Sequence, residues 1–287
     1  MRQGVRLDWP SDGDAAIGSI EDGLLARSSD SEELRPTASI AKVITALAIM
    51  EKQPFNPAQE GGTYTINKND VARRRDYISE GGSSVPVRIG MKVSQYQAMQ
   101  RMLIASDNNM ADLLAERIFG STDAYISYAN DMLKRMGLTR THVADASGFS
   151  PATVSTPSEL VAIGISSLKN QVIAKIVAQQ QAQLPLAGII KNTNQLLGID
   201  GIVGIKTGTT NKAGSCLLFA ARYTTKDKQQ GTIVGVIMGD ANHNDLFRDT
   251  RNLLASAKKG FGFAEVQPKG NGDGHSQKQG TGLPPKQ

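Results

Sequence analysis

Three short polar motifs interrupt apolar runs in this chain of 287 residues, and each has the residue types for chemistry. In Ser39-Ile40-Ala41-Lys42 a hydroxyl and an amine stand three residues apart. On a helix that spacing puts both on one face. A serine hydroxyl is a poor nucleophile until a base removes its proton, and a lysine can be that base once burial and nearby charge lower its pKa. Alone the pattern is weak, because an N-cap serine followed by a surface lysine looks the same. The second motif, Ser106-Asp107-Asn108, breaks the run LIASDNNMADLLAERI. It reads as a helix–helix turn, or as a loop presenting a second hydroxyl and an amide to a cleft. In the second reading Ser106 relays a proton, Asn108 holds both Lys42 and substrate, and Asp107 is structural or outward-facing. The third motif, Lys206-Thr207-Gly208 continuing to Thr209, falls inside a predicted strand. A lysine there can guard a sheet edge. With Thr and Gly behind it, the segment offers a hydroxyl and close access to backbone, which suits an anionic substrate laid alongside.

The elements around these motifs follow from periodicity. Residues 15–27 alternate apolar and small residues around Asp22-Gly23, a strong hairpin signal. From Ser39 the apolar positions Ile40, Val43, Ile44, Leu47 and Ala48 recur at helical spacing, and Pro54 ends the run, so a buried helix starts at Ser39. Residues 56–90 are Gly-, Asn- and Ser-rich with alternating pieces (TYTIN, SVPVRIG), and read as small strands and turns. Val93 to Phe119 is helical in pattern except at SDNN, and a second amphipathic helix runs from Thr122 to Met136, stopped by Gly137. Loop composition follows until Pro157, where Ser158, Glu159 and Leu160 open another helix, and 169–181 is helical in pattern too. GIVGIKTGTTNKAGSCLLFAARYT and GTIVGVIMGD read as two strands joined by the polar turn Thr225 to Gly231, and Leu246 to Lys259 as a closing helix. Strands, then helices, then strands and a helix predict a sheet built from both chain ends with a helical region inserted between them. The catalytic domain is expected over 11–267, with the helical lobe at roughly 50–165. Residues 268–287 are Gly/Pro-rich and read as a disordered tail or linker.

Composition removes several classes of function. The single cysteine, Cys216, excludes an intramolecular disulfide and a thiolate cluster, and reads as a small core residue. Histidines at 142, 243 and 275 are too scattered for a zinc centre, and His142 reads as a surface residue. No metal or other cofactor is expected. A net charge of +5 with 5% aromatics gives no nucleic-acid platform, and Arg73-Arg74-Arg75 reads as an Arg-rich solvated turn. A basic surface also suits an anionic cell wall or membrane. Met91, Met99 and Met102 look like helix packing, Asp145 and Ser147 in DASG like turn residues that frame a cleft, and Trp9 like a residue packing the N-terminus onto the body. The start MRQGVRLDWPSDGD is polar and carries no signal peptide, which fits a cytoplasmic protein or one whose export signal or anchor lies outside these residues.

In combination the motifs are specific. SxxK, SDN and KTG in this order, separated by 67 and 100 residues, are the signature of serine β-lactamases and penicillin-binding proteins. RPTASIAKVITALAIME, GMKVSQYQAMQRMLIASDNNMADLLAE, DASGFSPATVSTPSEL and DGIVGIKTGTTNKAG resemble the low-molecular-weight D-alanyl-D-alanine carboxypeptidases, peptidase family S11, over roughly residues 13–265. The resemblance implies an α+β, β-lactamase/transpeptidase-like fold: an antiparallel sheet of about five strands flanked by helices, with an inserted mainly helical lobe and the site in the cleft between. It implies an exported enzyme that faces peptidoglycan, takes stem peptides as substrate and is trapped by β-lactams. By motif, Ser39 resembles the nucleophile and Lys42 its base. Ser106, Asn108 and Lys206 complete the catalytic set, and Thr207, Gly208 and Thr209 line the substrate. The backbone N–H groups of Ser39 and Thr209 would form the oxyanion hole. Arg248, in LFRDTRNLL, resembles more loosely a family arginine near the substrate carboxylate.

Three departures stand out. Asp107 replaces the family's more frequent glycine. Thr209 stands where many relatives have histidine, which is expected to alter rate or pH behaviour. The Gly/Pro-rich tail stands where many relatives continue into a β-rich domain and an anchor. A class A β-lactamase needs a further glutamate to activate the deacylating water. Between the second and third motifs the glutamates are Glu116, in a helical pattern, and Glu159, at a helix start where it serves the dipole. The remaining alternatives are a D,D-endopeptidase or transpeptidase, and a non-catalytic binder of wall peptides.

Overall fold

The computed structural model describes residues 5–29, 32–225, 228–262 and 264–265. The segment 268–287, read as a tail, lies outside them. The N-terminal hairpin forms as expected: β1 (Asp14–Ser19) and β2 (Gly23–Arg27) pair antiparallel, with Gly23 at φ +72° in a conformation that costs a side-chain-bearing residue. At the other end of the chain lie β9 (Ile202–Thr210), β10 (Gly214–Thr224), β11 (Gln230–Asp240) and a short β12 (Ala264–Glu265). β1 pairs with β11, from Asp14 opposite Met238 to Ser19 opposite Ile233, so both chain ends build one antiparallel sheet in the order β9-β10-β11-β1-β2. β12 pairs with the far end of β10, at Tyr223 and Thr224. The fold is therefore α+β with five main strands. The segment GIVGIKTGTTNKAGSCLLFAARYT is not one strand, because residues 211–213 turn it back on itself as β9 and β10.

Helices cover both faces of the sheet, and β10 shows how the sequence directs this. Leu217, Phe219, Ala221 and Tyr223 join a cluster with Leu246, Leu253, Leu254 and Ala257 of α8 (His243–Phe261). The intervening Cys216, Leu218 and Ala220 face the opposite way, into a larger cluster with Leu160, Val161 and Ile163 of α6 (Pro157–Lys169). The period-2 alternation thus sends successive residues to different helices. Trp9 packs against the α8-side cluster, and Cys216 is fully buried. Among the described residues no single helix is long and apolar enough to cross a membrane.

The inserted lobe surrounds α1 (Ala41–Lys52), whose Val43, Ile44, Ala46, Ala48 and Ile49 are wholly buried. Around it stand α3 (Gln95–Ile104), α4 (Asn108–Phe119) and α5 (Thr122–Arg135), with Met99 and Met102 in the shared core. Short pairings close the lobe: β3 (Arg35–Pro36) with β6 (Val154–Ser155), and β4 (Thr63–Thr65) with β5 (Lys92–Ser94). Two expectations are corrected. Residues 56–90 contain a helix, α2 (Lys68–Ser79), and SVPVRIG forms no strand. The helix is built on charge rather than an apolar stripe, which is why periodicity misses it. An Asn67/Asp70 capping box starts it, the buried Asp70 accepts from Arg117, and Arg73 reaches Asp70, Asp112 and Glu116. Arg73 and Arg74 of the basic run are consequently not a solvated patch, and Arg74 donates to the Val85 carbonyl. The second correction lies at 169–181. There α7 (Gln171–Val177) ends early and a hairpin of β7 (Gln181–Leu184) and β8 (Gly188–Lys191) follows.

Candidate active site

Ser39 sits in a single 3-10 turn, Ala38–Ile40, that leads directly into α1. One turn along, the Lys42 side chain is fully buried, and its Nζ lies 2.7 Å from Ser39 Oγ. Two further acceptors hold the amine, Asn108 Oδ1 at 2.7 Å and the Ser147 carbonyl at 2.8 Å. Burial brings the Lys42 amine down to about 7, with the Asp145, Asp107 and Asp112 carboxylates opposing that fall. A lysine that is neutral in part near neutral pH, in contact with a serine hydroxyl, can take the hydroxyl proton and release a nucleophile.

Ser106 and Asn108 arrive from the break between α3 and α4. Ser106 takes a left-handed conformation (φ +61°), which ends one helix and lets Asn108 begin the next. Asp107 points inward, not outward. It is fully buried, 3.1 Å from Arg101 Nε, and accepts from Ser84. Burial raises its carboxyl, and Arg101 is the main opposing influence.

The third motif lies on β9. Among the described residues β9 pairs only with β10, so its outer edge is open toward the Ser39 turn. Gly208 makes the approach possible: a Cβ there would stand 2.9 Å from the Ser39 nitrogen and 3.0 Å from the Thr37 carbonyl oxygen. The β9 backbone at Gly208 and the Ser39 turn thus lie in direct contact. Lys206 is buried and donates to the Thr207 carbonyl, while the Thr207 hydroxyl donates to Thr193. Burial lowers the Lys206 amine well below the usual lysine range, and Lys42 lowers it further.

Residue types alone did not reveal the other supports. Asp145 Oδ2 accepts from the Ser147 hydroxyl at 2.8 Å and the Phe149 N–H at 2.9 Å, and Oδ1 accepts from Thr153 at 2.5 Å. These bonds shape the loop so that the Ser147 carbonyl faces Lys42. Thr45, one turn beyond Lys42 on α1, donates to the Ala146 carbonyl and pairs with the Tyr125 hydroxyl, each at 2.7 Å. DASG was legible as a turn, but a backbone carbonyl used as a ligand has no residue-type signature.

Arg248 does not join this assembly. It is exposed on α8, paired with Asp245 and with Asp249. It lines a separate hollow with Leu196, Asp200 and Arg251. The α8 side chain that meets the third motif is His243, with Nε2 3.0 Å from Thr209 Oγ1. Glu159 is committed to the Arg140 and Thr141 backbone, and Glu116 to Arg73 and Arg117.

An α+β core with SxxK, SDN and KTG groups converging on one cleft defines a serine hydrolase of the penicillin-binding class. The family model for D-alanyl-D-alanine carboxypeptidase, peptidase S11, matches residues 18–242, and the chain belongs to that family. A D-alanyl-D-alanine endopeptidase of Escherichia coli is 26% identical over 248 residues, 84% of this chain and 75% of the relative. A D-alanyl-D-alanine endopeptidase of Haemophilus influenzae is 29% identical over 210 residues, 71% and 68% of the two chains. The fold is shared with a Streptomyces DD-transpeptidase (TM-score 0.76, 24% identity, 87% of this chain and 98% of that one). It is shared as well with a D-alanyl-D-alanine carboxypeptidase of Mycobacterium tuberculosis (TM-score 0.75, 24% identity, 93% and 96%).

Proposed function

We propose that this protein is a serine D-Ala-D-Ala carboxypeptidase that removes the terminal D-Ala from peptidoglycan stem pentapeptides, and that it acts outside the cytoplasm where that substrate lies. One observation carries the reading: Lys42 is buried, brought down to about 7, and fixed between Ser39, Asn108 and the Ser147 carbonyl. Neutral Lys42 accepts the Ser39 proton as Oγ attacks the carbonyl of the penultimate D-Ala. In this reading charge developing on that oxygen is received by the backbone N–H groups of Ser39 and Thr209. The departing amine of the terminal D-Ala takes a proton through Lys42 and Ser106, leaving acyl-Ser39. Water then attacks the ester, and Lys42 is the base again. Lys206 serves from the β9 side of the cleft. The peptide lies along the open edge of β9 as an added strand. Beyond Thr209 a cavity of about 550 Å³, lined by Gly81, Ser83, Phe149, Pro151 and Lys212, has room for the rest of the stem.

The names of the Escherichia coli and Haemophilus influenzae relatives favour a second reading, cleavage of the D-Ala cross-link by the same acyl-Ser39 chemistry. A β-lactamase is disfavoured because Glu116 and Glu159, the glutamates between the second and third motifs, are bonded elsewhere and are not set to activate a water on an acyl-drug. Intact-protein mass spectrometry with benzylpenicillin tests the acyl-serine step. A stable adduct of one drug is expected on the wild type and none on Ser39→Ala. D-Ala release from a stem pentapeptide, set against cleavage of a cross-linked dimer, then separates the two peptidase readings. Ligand binding without an adduct or cleavage would instead mark a wall-peptide binder.

A further inference from the structure

A hollow of about 690 Å³ lies between α8 and the segment that leads into β9, a volume in the range of small-ligand sites. On one side stand Phe247, Arg248, Arg251, Asn252 and Ala255, which share a face of α8 because they recur at three- and four-residue intervals. On the other stand Gln195, Ile199 and Asp200. The two walls are tied together. Arg251 Nε meets Asp200 Oδ2 at 2.7 Å, and the buried Lys258 donates to the Asp200 carbonyl at 2.7 Å. The charges around the hollow cancel: Asp245 and Asp249 hold Arg248, Asp200 holds Arg251, and Lys258 balances the remaining carboxylate. Hydrogen-bonding groups remain. The exposed side-chain amides of Gln195 and Asn252, and the terminal N–H groups of Arg251, have no partner among the described residues. Phe247 and the exposed Ile199 add apolar surface. The Phe247 ring lies 6.1 Å from the His243 ring, whose Nε2 is 3.0 Å from Thr209 Oγ1, so the hollow begins about one helical turn from the third motif.

We propose that this hollow is a saccharide site that holds the glycan strand of the wall polymer, a chain of β-linked N-acetylhexosamines, separately from the stem peptide in the cleft. The identity of the glycan rests on the peptidoglycan reading above. Balanced charge gives the hollow no net attraction for an ion. An N-acetylhexosamine is uncharged, and each of its hydroxyls both donates and accepts. The free N–H groups of Arg251 and the amides of Gln195 and Asn252 match such a rim. The acetamido group pairs with a side-chain amide through one N–H···O=C bond in each direction. The C–H face of the pyranose covers Phe247 and Ile199, an apolar surface with a few placed polar groups around it. Because one glycan strand carries many stems, holding it raises the effective concentration of stems at the cleft, whichever way a peptide runs along β9.

The probe is a tetramer of β-linked N-acetylglucosamine, which carries no stem peptide, titrated into the full chain by isothermal calorimetry. Saturable binding is expected on the wild type. Asn252→Ala should weaken it by about three- to tenfold, the range for one neutral hydrogen bond. Ala255→Trp, which fills the hollow from an exposed position on α8, should abolish it. Both variants are expected to react with benzylpenicillin at the wild-type rate. In Ala255→Trp, D-Ala release from a free pentapeptide should be unchanged, while release from glycan-linked stems falls through KM. No binding by the wild type, or equal binding by Ala255→Trp, would overturn the proposal. So would equal binding of a glucose tetramer, or displacement of the probe by inorganic phosphate, which marks an anion site. A protein that binds the tetramer here but forms no penicillin adduct and releases no D-Ala overturns the peptidase reading and leaves the saccharide site standing. One that acylates and cleaves without binding the tetramer overturns this inference alone.

Discussion

Lys42 concentrates the chemistry of the site in one titration. Burial disfavours its ammonium form, while Asp145, Asp107 and Asp112 lie close enough to keep the amine near 7. As the proposed base, Lys42 acts in its neutral form, so acylation grows as the proton leaves. Acylation by benzylpenicillin is expected to rise with pH through about 7 and then level. One pH unit below the midpoint the rate should be about a tenth of the plateau. Stopped-flow acylation across pH 5.5–9 checks this, and a flat profile would remove Lys42 from the role of base. Lys42→Arg is expected to abolish acylation, because a guanidinium stays protonated throughout that range.

The elements carry the positioning. α2 sets Tyr77 against α4, with the hydroxyl donating to Asp112 at 2.6 Å and the ring edge-on to Phe149 at 5.6 Å. Asp112 lies one turn along α4 from Asn108, and Phe149 belongs to the loop that offers the Ser147 carbonyl. One helix thus braces both supports of Lys42. Burial pushes the Asp112 carboxyl up to about 6, against its bond to Tyr77 and the charges of Arg73 and Lys42, with Asp145 adding to the rise. Ionised Asp112 favours the charged form of Lys42. Removing that charge must therefore lower the Lys42 pKa. Asp112→Asn is expected to move the acid limb of the acylation profile to lower pH, whereas simple loosening of the fold would reduce the plateau and leave the midpoint in place. β9 makes its own demand through Gly208. In Gly208→Ala the new Cβ meets backbone atoms of the Ser39 turn at 2.9–3.0 Å, so strand and turn must part. A misplacement of about 1 Å costs about a hundredfold in rate, so the smaller parting here is expected to cost up to about that much. The penicillin-acylation rate should show that loss while circular dichroism still reports a folded chain.

At the scale of the whole molecule, two layers of helix hold a sheet whose strands come from opposite ends of the chain, and the cleft is the seam between sheet and inserted lobe. The Arg101–Asp107 pair secures the lobe side of that seam. Both side chains are buried, and Arg101 also donates to the Val85 and Pro86 carbonyls. Breaking a buried pair by removing one partner costs about 3–5 kcal/mol, because the other charge is left uncompensated. Asp107→Ala should accordingly lower Tm by roughly 6–20 °C for a domain of this size. Differential scanning calorimetry measures it, and a change under 2 °C would show that the pair carries little of the stability.

The main elements and the Ser39–Lys42 contact were legible along the chain. SxxK is a local motif, so helical spacing alone brings Ser39 and Lys42 together. The period-2 runs of β1, β10 and β11 and the apolar stripe of α1 declare their burial because hydrophobic pattern is read along the chain. α2 escaped because it is held by Asp70, Arg73 and Arg117 instead of an apolar face. What spans distant segments was decided only by tertiary structure: the Ser147 carbonyl on Lys42, the inward turn of Asp107, and the choice of His243 over Arg248 beside Thr209. Each depends on the direction in which a side chain or carbonyl leaves its element after packing, and linear spacing does not encode that direction between elements far apart in the chain.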